Sequence, residues 1–152
     1  MAATDPSVFP ERPPAVAEWE DLLVRLEIMP RALRNALGDA EPETERLLGV
    51  FQEMVEREAW VGGWLERAAG YGSPQPALVP DPDAEWLYRR FASLRARNFA
   101  MVQRRGLDVW DWAGPGPTGE TVSVYQLFIW LLQRDADALA AARGALAGPA
   151  SC

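Results

Sequence analysis

The stretch LLGVFQEMVEREAWVGGWL, residues 47–65, carries the pattern that decides the fold. Its apolar residues recur alternately four and three positions apart, which is the spacing of one face of an α-helix. A single carboxylate, Glu58, is set into this face, and Gly62 and Gly63 permit a neighbouring helix to approach closely. The predicted core-facing positions are Leu47, Phe51, Met54, Glu58, Val61 and Leu65. We therefore predict a long amphipathic helix that packs against other helices along its length.

The segment on the N-terminal side of this helix predicts a first helix that a proline interrupts. From Trp19 onward the apolar residues again follow a helical period. Pro30 has no backbone N–H, so we expect a kink or a fresh start at Met29 and Pro30 and a helix end at Gly38. The second helix should then open at residues 42–43, where an acid follows a proline.

Two further helices are predicted in the C-terminal half. The third runs from about Asp83 to Arg105 and carries Asn98 within its apolar stripe. The fourth starts at Ser123, where Ser123 and Gln126 fit a capping box, and its predicted apolar inner face includes Asp135. No segment alternates as a β-strand does, so we predict no strand. Four helices of this length predict an all-α fold, an up-and-down-type four-helix bundle.

Proline-rich segments set the predicted domain boundaries. Residues 1–16 are expected to form a flexible N-terminal arm, residues 17–147 the four-helix bundle and residues 148–152 a C-terminal tail. Between the second and third helices, residues 70–83 form a long proline-rich crossover. Long connections often carry function or cover a cleft, so this segment is a candidate for either role.

The composition excludes several classes of site and partner. The chain has no histidine, no lysine and a single cysteine, Cys152, which removes histidine- and lysine-based catalysis, a disulfide framework and a thiolate metal cage. A formal charge of −7 argues against nucleic acid as a partner. No apolar run approaches the ~20 residues that span a bilayer, and the first residues lack the pattern of a signal peptide. We expect a cytoplasmic protein that contacts neither nucleic acid nor membrane.

Paired carboxylates offer one candidate metal site. Glu53 and Glu56 are three residues apart on the second helix, and Asp135 and Asp137 lie on the fourth. Carboxylate oxygens are the ligands that Mg²⁺ and Mn²⁺ prefer, so these acids are candidate ligands for a hard cation. Acids on an amphipathic helix also commonly form a solvated face, and the sequence leaves both interpretations open.

Polar and aromatic residues at unusual positions suggest further roles. Glu58 and Asn98 sit in otherwise apolar stripes. They form a structural polar network between the second and third helices, lie at a stripe edge that reaches water, or provide a catalytic acid. Trp110 and Trp112 either line a ligand site or plug the rim of the bundle. The glycine-rich segment at residues 114–119 lacks the Lys-Ser/Thr of a phosphate-binding loop and is predicted to be a connection.

Four motifs occur in a characteristic order along the chain. They are a proline-interrupted first helix (LEIMPRALRNAL), a second helix reading LLGVFQEMVEREAWV, FASLRARNFAMVQ on the third helix, and WDWAGPGPTGETVSV leading into a last helix with QRDADA. In this order and spacing, over residues 17–146, the chain resembles the DinB/YfiT-like superfamily of bacterial four-helix-bundle proteins.

The resemblance implies a metal centre whose ligands this chain lacks. Members of the family typically bind one divalent metal, often nickel or zinc, through three histidines, and characterised relatives include thiol-dependent transferases and isomerases. Carried over residue by residue, the ligand positions fall on Glu53 (or its neighbour Gln52), Arg134 and Ala138. The glutamate that follows the first ligand position in the family corresponds to Glu58, and Asp135 follows the second. Alanine cannot coordinate a metal, and arginine stays protonated and repels a cation.

These observations predict a bundle that has lost its metal site and needs no cofactor. We expect a non-catalytic small-molecule-binding or protein-interaction domain, with a thiol-dependent transferase or hydrolase using a recast carboxylate site as the alternative. The candidate polar pocket comprises Glu53, Glu58, Asn98, Arg134, Asp135 and Asp137. Within it, Arg134 is expected to pair with Glu53 or Asp137, away from water, or else to extend into solvent. A homodimer is also expected, with candidate interface residues Trp60, Trp64 and Trp86.

Overall fold

The computed structural model describes residues 12–38, 45–70 and 82–147, and it confirms the predicted all-α bundle. Within these ranges the α-helices are α1 (Val16–Glu27), α2 (Met29–Leu37), α3 (Glu45–Ala68), α4 (Ala84–Arg105) and α5 (Val124–Ala147). A short 3₁₀ helix, Gly106–Asp111, follows α4, and two three-residue strands, β1 (Ala113–Pro115) and β2 (Thr121–Ser123), precede α5. Most of the predicted arm and crossover, the predicted opening of the second helix, the tail and Cys152 lie outside the described residues.

The predicted interruption of the first helix is confirmed. Helix α1 ends at Glu27 and α2 begins at Met29, with Pro30 in its first turn and Gly38 at its end. Helix α3 contains all the predicted core-facing positions, and each of them is buried. Helix α4 starts one residue after Asp83, whose carboxylate accepts a hydrogen bond from the backbone N–H of Trp86 at 2.8 Å.

Helices α3 and α4 share the most extensive interface of the bundle, and a glycine permits it. A Cβ atom at Gly62 would lie 2.9 Å from Oδ1 of Asn98, which is closer than real Cβ contacts allow. The absence of a side chain at Gly62 therefore lets α4 bring Asn98 against the backbone of α3, as the sequence predicted. At Gly63 a Cβ atom would have only Nη1 of Arg67, 3.4 Å away, as its neighbour, and Arg67 lies on the same helix. The predicted role in the close approach of a neighbouring helix therefore holds for Gly62 and not for Gly63.

The core consists of two apolar clusters with a polar layer between them. The first cluster contains Trp19, Leu26, Val61, Trp64, Phe99, Phe128 and Leu131, and the second contains Met29, Leu33, Phe51, Met54, Phe91, Ala138 and Ala142, with further members in each. Along α3, α4 and α5, the residues between the two sets include Glu58, Asn98 and Asp135, which are buried and polar. In the described ranges no helix is both long and apolar enough to cross a membrane.

The prediction that the chain contains no strand is wrong. Strands β1 and β2 pair antiparallel, with Gly114 opposite Val122, and residues 116–120 form their connection. The predicted connection at residues 114–119 therefore begins two residues too early, inside β1. Each strand has only three residues, too few to show the alternation by which a strand is recognised. The indole N–H of Trp64 donates to the carbonyl of Pro115 at 3.1 Å and so ties this hairpin to α3.

The predicted capping box at the start of α5 is confirmed. The side chain of Ser123 accepts from the backbone N–H of Gln126 at 3.2 Å, and the side chain of Gln126 accepts from the N–H of Ser123 at 2.8 Å. These reciprocal bonds satisfy donors that a helix otherwise leaves free, and they fix where α5 begins. The register of α5 in turn sets the depth at which Asp135 enters the core.

Candidate functional site

A buried arginine, whose role the sequence patterns did not predict, lies at the centre of the bundle. Arg95 on α4 is 2% exposed, and its guanidinium binds Asp135 of α5 through two parallel hydrogen bonds of 2.8 Å. The same group donates to Oε1 of Glu58 on α3 at 2.9 Å. Paired planar hydrogen bonds between guanidinium and carboxylate are among the strongest polar contacts in proteins. One arginine therefore joins three helices.

Asn98 completes what we call the buried network, which consists of Glu58, Arg95, Asn98 and Asp135. Its side-chain amide donates to Oε2 of Glu58 at 2.9 Å and to the backbone carbonyl of Glu58 at 3.1 Å. All four carboxylate oxygens of Glu58 and Asp135 thereby accept a hydrogen bond. The prediction of a polar network between the second and third helices is confirmed for Glu58 and Asn98.

The interruption of the first helix is part of the same site. In an unbroken helix the N–H of residue 30 would bond to the carbonyl of Leu26, but Pro30 has no N–H. Arg95 donates to that carbonyl oxygen through Nη1 at 2.6 Å. A buried carbonyl without a donor is costly, so the proline and the arginine are complementary features of the sequence.

The network contains one guanidinium and two carboxyl groups, all of them buried. Burial lowers the pKa of Arg95, but the charge of Glu58 and the hydrogen bonds of Asp135 raise it by more, so the guanidinium stays protonated. Burial raises the pKa of Asp135, and the bonds from Arg95 offset that effect only in part. The pKa values of Arg95 and Asp135 are therefore both raised. Two anions stabilise the protonated form of Arg95, whereas Asp135 shares a single cation with Glu58.

This arrangement is suited to holding the bundle together and not to chemistry on a substrate. A general acid or base needs a proton-accepting atom within reach of a substrate, whereas the network is enclosed by the two apolar clusters and its carboxylate oxygens are occupied. The guanidinium also lies over the ring of Phe91, with Cζ 5.0 Å from the ring centroid. Of the three guanidinium nitrogens of Arg95, Nε alone has no hydrogen-bond acceptor among the described residues.

A surface groove lies beside the network, between α3, α5 and the hairpin. Its volume is about 400 Å³ and it is lined by Glu53, Glu56, Arg57, Trp60, Pro117 and Trp130, a set that we call the tryptophan groove. The two indoles meet edge to face, with ring centroids 5.8 Å apart and an interplanar angle of 71°. Burial lowers the pKa of Arg57, and the nearby charges of Asp135 and Glu53 act against that effect.

The remaining members of the predicted polar pocket lie outside the buried network. Arg134 pairs with Asp137 at 3.1 Å, which is one of the two predicted partners, but the side chain of Asp137 is 67% exposed. The expected removal of this pair from water is therefore wrong. Glu53 is exposed at the edge of the groove, and Ala138 is buried in the second apolar cluster. The predicted pocket is thus divided between a buried layer and the surface.

The structure gives the environment of the tryptophans for which a role was predicted. Trp64 is 1% exposed and bonded to the hairpin, so its assignment to a dimer interface is wrong. Trp110 and Trp112 pack against the first apolar cluster and also line a surface pocket of about 220 Å³, so the structure is compatible with both predicted roles, a plug at the rim and the wall of a ligand site. Trp60 and Trp86 are half-buried and pack against the two clusters.

The carboxylates proposed as metal ligands do not converge. Across the described ranges 12–38, 45–70 and 82–147, no group of three or more acidic or cysteine side chains is placed to hold a metal ion. Asp135 faces the core while Asp137 faces solvent, so this pair cannot act as one ligand set. Glu53 and Glu56 share the groove, but the acids of α5 do not join them there.

A signal for Arg95 was present in the sequence. Glu58, Asn98 and Asp135 were each placed in an apolar stripe, and two buried carboxylates require a cation. On α4, Arg95 lies four residues after Phe91 and three before Asn98, so it shares the inner face with them. Arginine is usually exposed, and this general tendency concealed its role.

Comparisons with known proteins add no further identification. No protein-family model, no curated protein and no solved structure matches the chain.

Proposed function

We propose that this chain is a divergent up-and-down bundle of the DinB/YfiT-like kind, with the buried network in place of a metal centre. In this proposal it binds a small molecule without transforming it. The observation that supports it is the position of the Arg95 guanidinium, bonded to both Glu58 and Asp135. In the resemblance, these two acids accompany the positions of the metal ligands. A fixed positive charge between them leaves no room for a divalent cation and supplies the neutralising charge itself.

Small-molecule binding is favoured over a pure protein-interaction role by the tryptophan groove. Its lining combines two indoles with three charged side chains, the mixture of aromatic and polar groups that small-molecule sites use. The second possible role in this proposal is protein interaction, including formation of a homodimer. Analytical ultracentrifugation over a series of protein concentrations tests the homodimer. A sedimentation coefficient that stays that of a 16.8 kDa chain at high concentration would contradict the dimer.

The first test is a set of melting curves on untagged protein with EDTA, Ni²⁺, Zn²⁺, Mn²⁺ and Mg²⁺, together with its metal content. We expect no stoichiometric metal and no ion-specific change in melting temperature. A ligand that binds only the native state stabilises it by about 2.7 kcal/mol at a hundredfold excess over its Kd, so a real site would be detected. Near-stoichiometric metal, or a clear shift with one ion, would contradict the proposal.

The alternative, an enzyme with a recast carboxylate site, receives limited support from Glu53 and Glu56, which both line the groove. It requires Mg²⁺ or Mn²⁺ to stabilise the protein and requires Glu53→Gln with Glu56→Gln to abolish that stabilisation. The matched control is Glu20→Gln, since Glu20 is exposed on α1, outside the groove. Equal responses of the two variants and the wild type would remove this alternative.

A further inference from the structure

The charged side chains of the tryptophan groove form no ion pair with any other residue that the structure describes. Within the described residues, the ion pairs closer than 4.0 Å do not include Glu53, Glu56 or Arg57. Elsewhere on the surface such pairs are common, as between Arg34 and Glu85 at 2.9 Å or Arg89 and Glu85 at 3.0 Å. The groove thus presents two carboxylates and one guanidinium that are available to a ligand.

The two carboxylates and one indole form a row along α3. Glu53, Glu56 and Trp60 are separated by three and four residues, so they lie on the same face of the helix. Both glutamates are exposed, whereas Trp60 is half-buried. Trp130 of α5 meets Trp60 edge to face and forms the opposite wall. A ligand lying along this row would contact a negative end first and aromatic surface next.

Arg57 provides a positive charge of a different character. It is half-buried, and burial is the main cause of its lowered pKa. Arginine stays protonated under such conditions, so the side chain is a partly desolvated cation without a directly bonded anion. A ligand carboxylate would satisfy it through the paired geometry that guanidinium groups favour.

We propose that the tryptophan groove binds a zwitterionic amino acid with an apolar or aromatic side chain. In this assignment Arg57 binds the carboxylate, Glu53 and Glu56 hold the ammonium group, and the indoles of Trp60 and Trp130 pack against the side chain. Each chemical element of the lining then has one counterpart in the ligand. The inference rests on the proposal above that the bundle binds a small molecule, and it names the class of that molecule.

The test uses three probes that share one aromatic ring. Phenylalanine carries both charges, phenethylamine only the positive one and 3-phenylpropionate only the negative one. We expect calorimetry on the full chain to show phenylalanine binding about tenfold or more tighter than either, since each charge-assisted contact contributes separately. Equal binding of all three would show that only the ring is recognised, and stronger binding of phenethylamine would show that Arg57 has no part. Either result overturns the proposal.

Two variants assign the charges separately. Arg57→Gln should remove the preference for phenylalanine over phenethylamine, and Glu53→Gln with Glu56→Gln should remove its preference over 3-phenylpropionate. Arg90→Gln, on α4 and outside the groove, is the matched control and should leave all three affinities unchanged. Unchanged melting temperatures of the exposed glutamate variants would confirm that folding is intact. If the preferences survive both groove variants, the assignment is wrong.

The inference can fail while the proposed function stands. If none of the three probes binds but another small molecule stabilises the chain without metal, the groove has been assigned the wrong ligand class and the binding function is supported. If a metal ion is required for any ligand to bind, the proposed function itself fails. The calorimetric series and the metal melts together separate these results.

Discussion

Asp135 and Asp137 lie two positions apart on the same helix and have opposite environments. The side chain of Asp135 is 4% exposed and bonds to Arg95, whereas that of Asp137 is 67% exposed and pairs with Arg134. Both are aspartate–arginine pairs with nearly equal distances, 2.8 Å and 3.1 Å. Their energetic weight should nevertheless differ several-fold, because breaking a buried pair leaves a charge without water or partner.

The comparison teaches that residue type and spacing do not reveal what a charge contributes in this bundle. On α5 the buried side chain connects to α3, α4 and the end of α1 through Arg95, and the exposed one connects only to its own helix. Substitutions at matched positions can test this difference directly.

The largest effect is expected from Arg95→Met. The variant leaves Glu58 and Asp135 as uncompensated buried carboxylates, and it removes the side-chain donor of the Leu26 carbonyl, so the free energy of unfolding should fall by about 3–5 kcal/mol. Urea-induced unfolding measures it. Arg89→Met, which removes an exposed pair on the same helix, is the control and should cost no more than about 1 kcal/mol. Similar losses in the two variants would show that burial does not govern the contribution of these charges.

A triple variant tests whether the core is stabilised by the charges of the buried network or only by the volume of its side chains. Replacing Glu58, Arg95 and Asp135 together by Met, Met and Leu removes every charge of the buried network. Apolar substitutes for a buried charge network are often tolerated, so we expect recovery of about 2 kcal/mol or more relative to Arg95→Met alone. Asn98 would keep only its bond to the backbone carbonyl of residue 58, and the carbonyl of Leu26 would lose its side-chain donor, which limits the recovery. A triple variant less stable than Arg95→Met would contradict the electrostatic account.

A smaller effect should separate the two neighbouring glycines of α3. At Gly62 an added Cβ would meet Asn98 at 2.9 Å and disturb the buried network, so Gly62→Ala should destabilise by about 1–3 kcal/mol. At Gly63 the nearest atom, 3.4 Å away, belongs to the flexible side chain of Arg67. Gly63→Ala should therefore stabilise by about 0.4–1 kcal/mol through reduced chain entropy. Thermal melts of the two variants should move in opposite directions, and a shared direction would refute the close approach.

The smallest effect is expected at the surface pair. Arg134→Ala should cost at most about 1 kcal/mol, and a double-mutant cycle with Asp137→Ala should give a coupling of about 0.3–0.5 kcal/mol. Combined with Glu53→Ala, its effect should be additive, in contrast to the coupling that the sequence suggested. Coupling above 2 kcal/mol in either cycle would mean that Arg134 belongs with the buried charges after all.

Helix ends and breaks whose cause lies within a few residues were predicted correctly from the sequence. Pro30 marked the break between α1 and α2, Gly38 the end of α2, and Ser123 with Gln126 the start of α5. Each depends on backbone bonds between residues a few positions apart, so a short window of sequence contains the whole cause.

The site was predicted less well because its contacts are distant along the chain. The buried positions of Glu58, Asn98 and Asp135 followed from helical periodicity, but the choice of Arg95 as their cation depended on which helices are neighbours. Arg134 was favoured in its place because the resemblance drew attention to its position. The tryptophan groove needs the hairpin against α3 and α5, and its three-residue strands leave no periodic signal.

The network also has a consequence for how the chain folds. Arg95 bonds to residues 69, 40 and 37 positions away, so its partners come together only when α1, α3, α4 and α5 have all docked. A species lacking α4 would hold two carboxylates without their cation, and one lacking α1, α3 or α5 would lose at least one of the bonds to Arg95. Partly folded forms are thereby raised in free energy, and the described bundle should unfold as one cooperative unit. The polar layer lies between the two apolar clusters of the core, and it would then cause both clusters to unfold together.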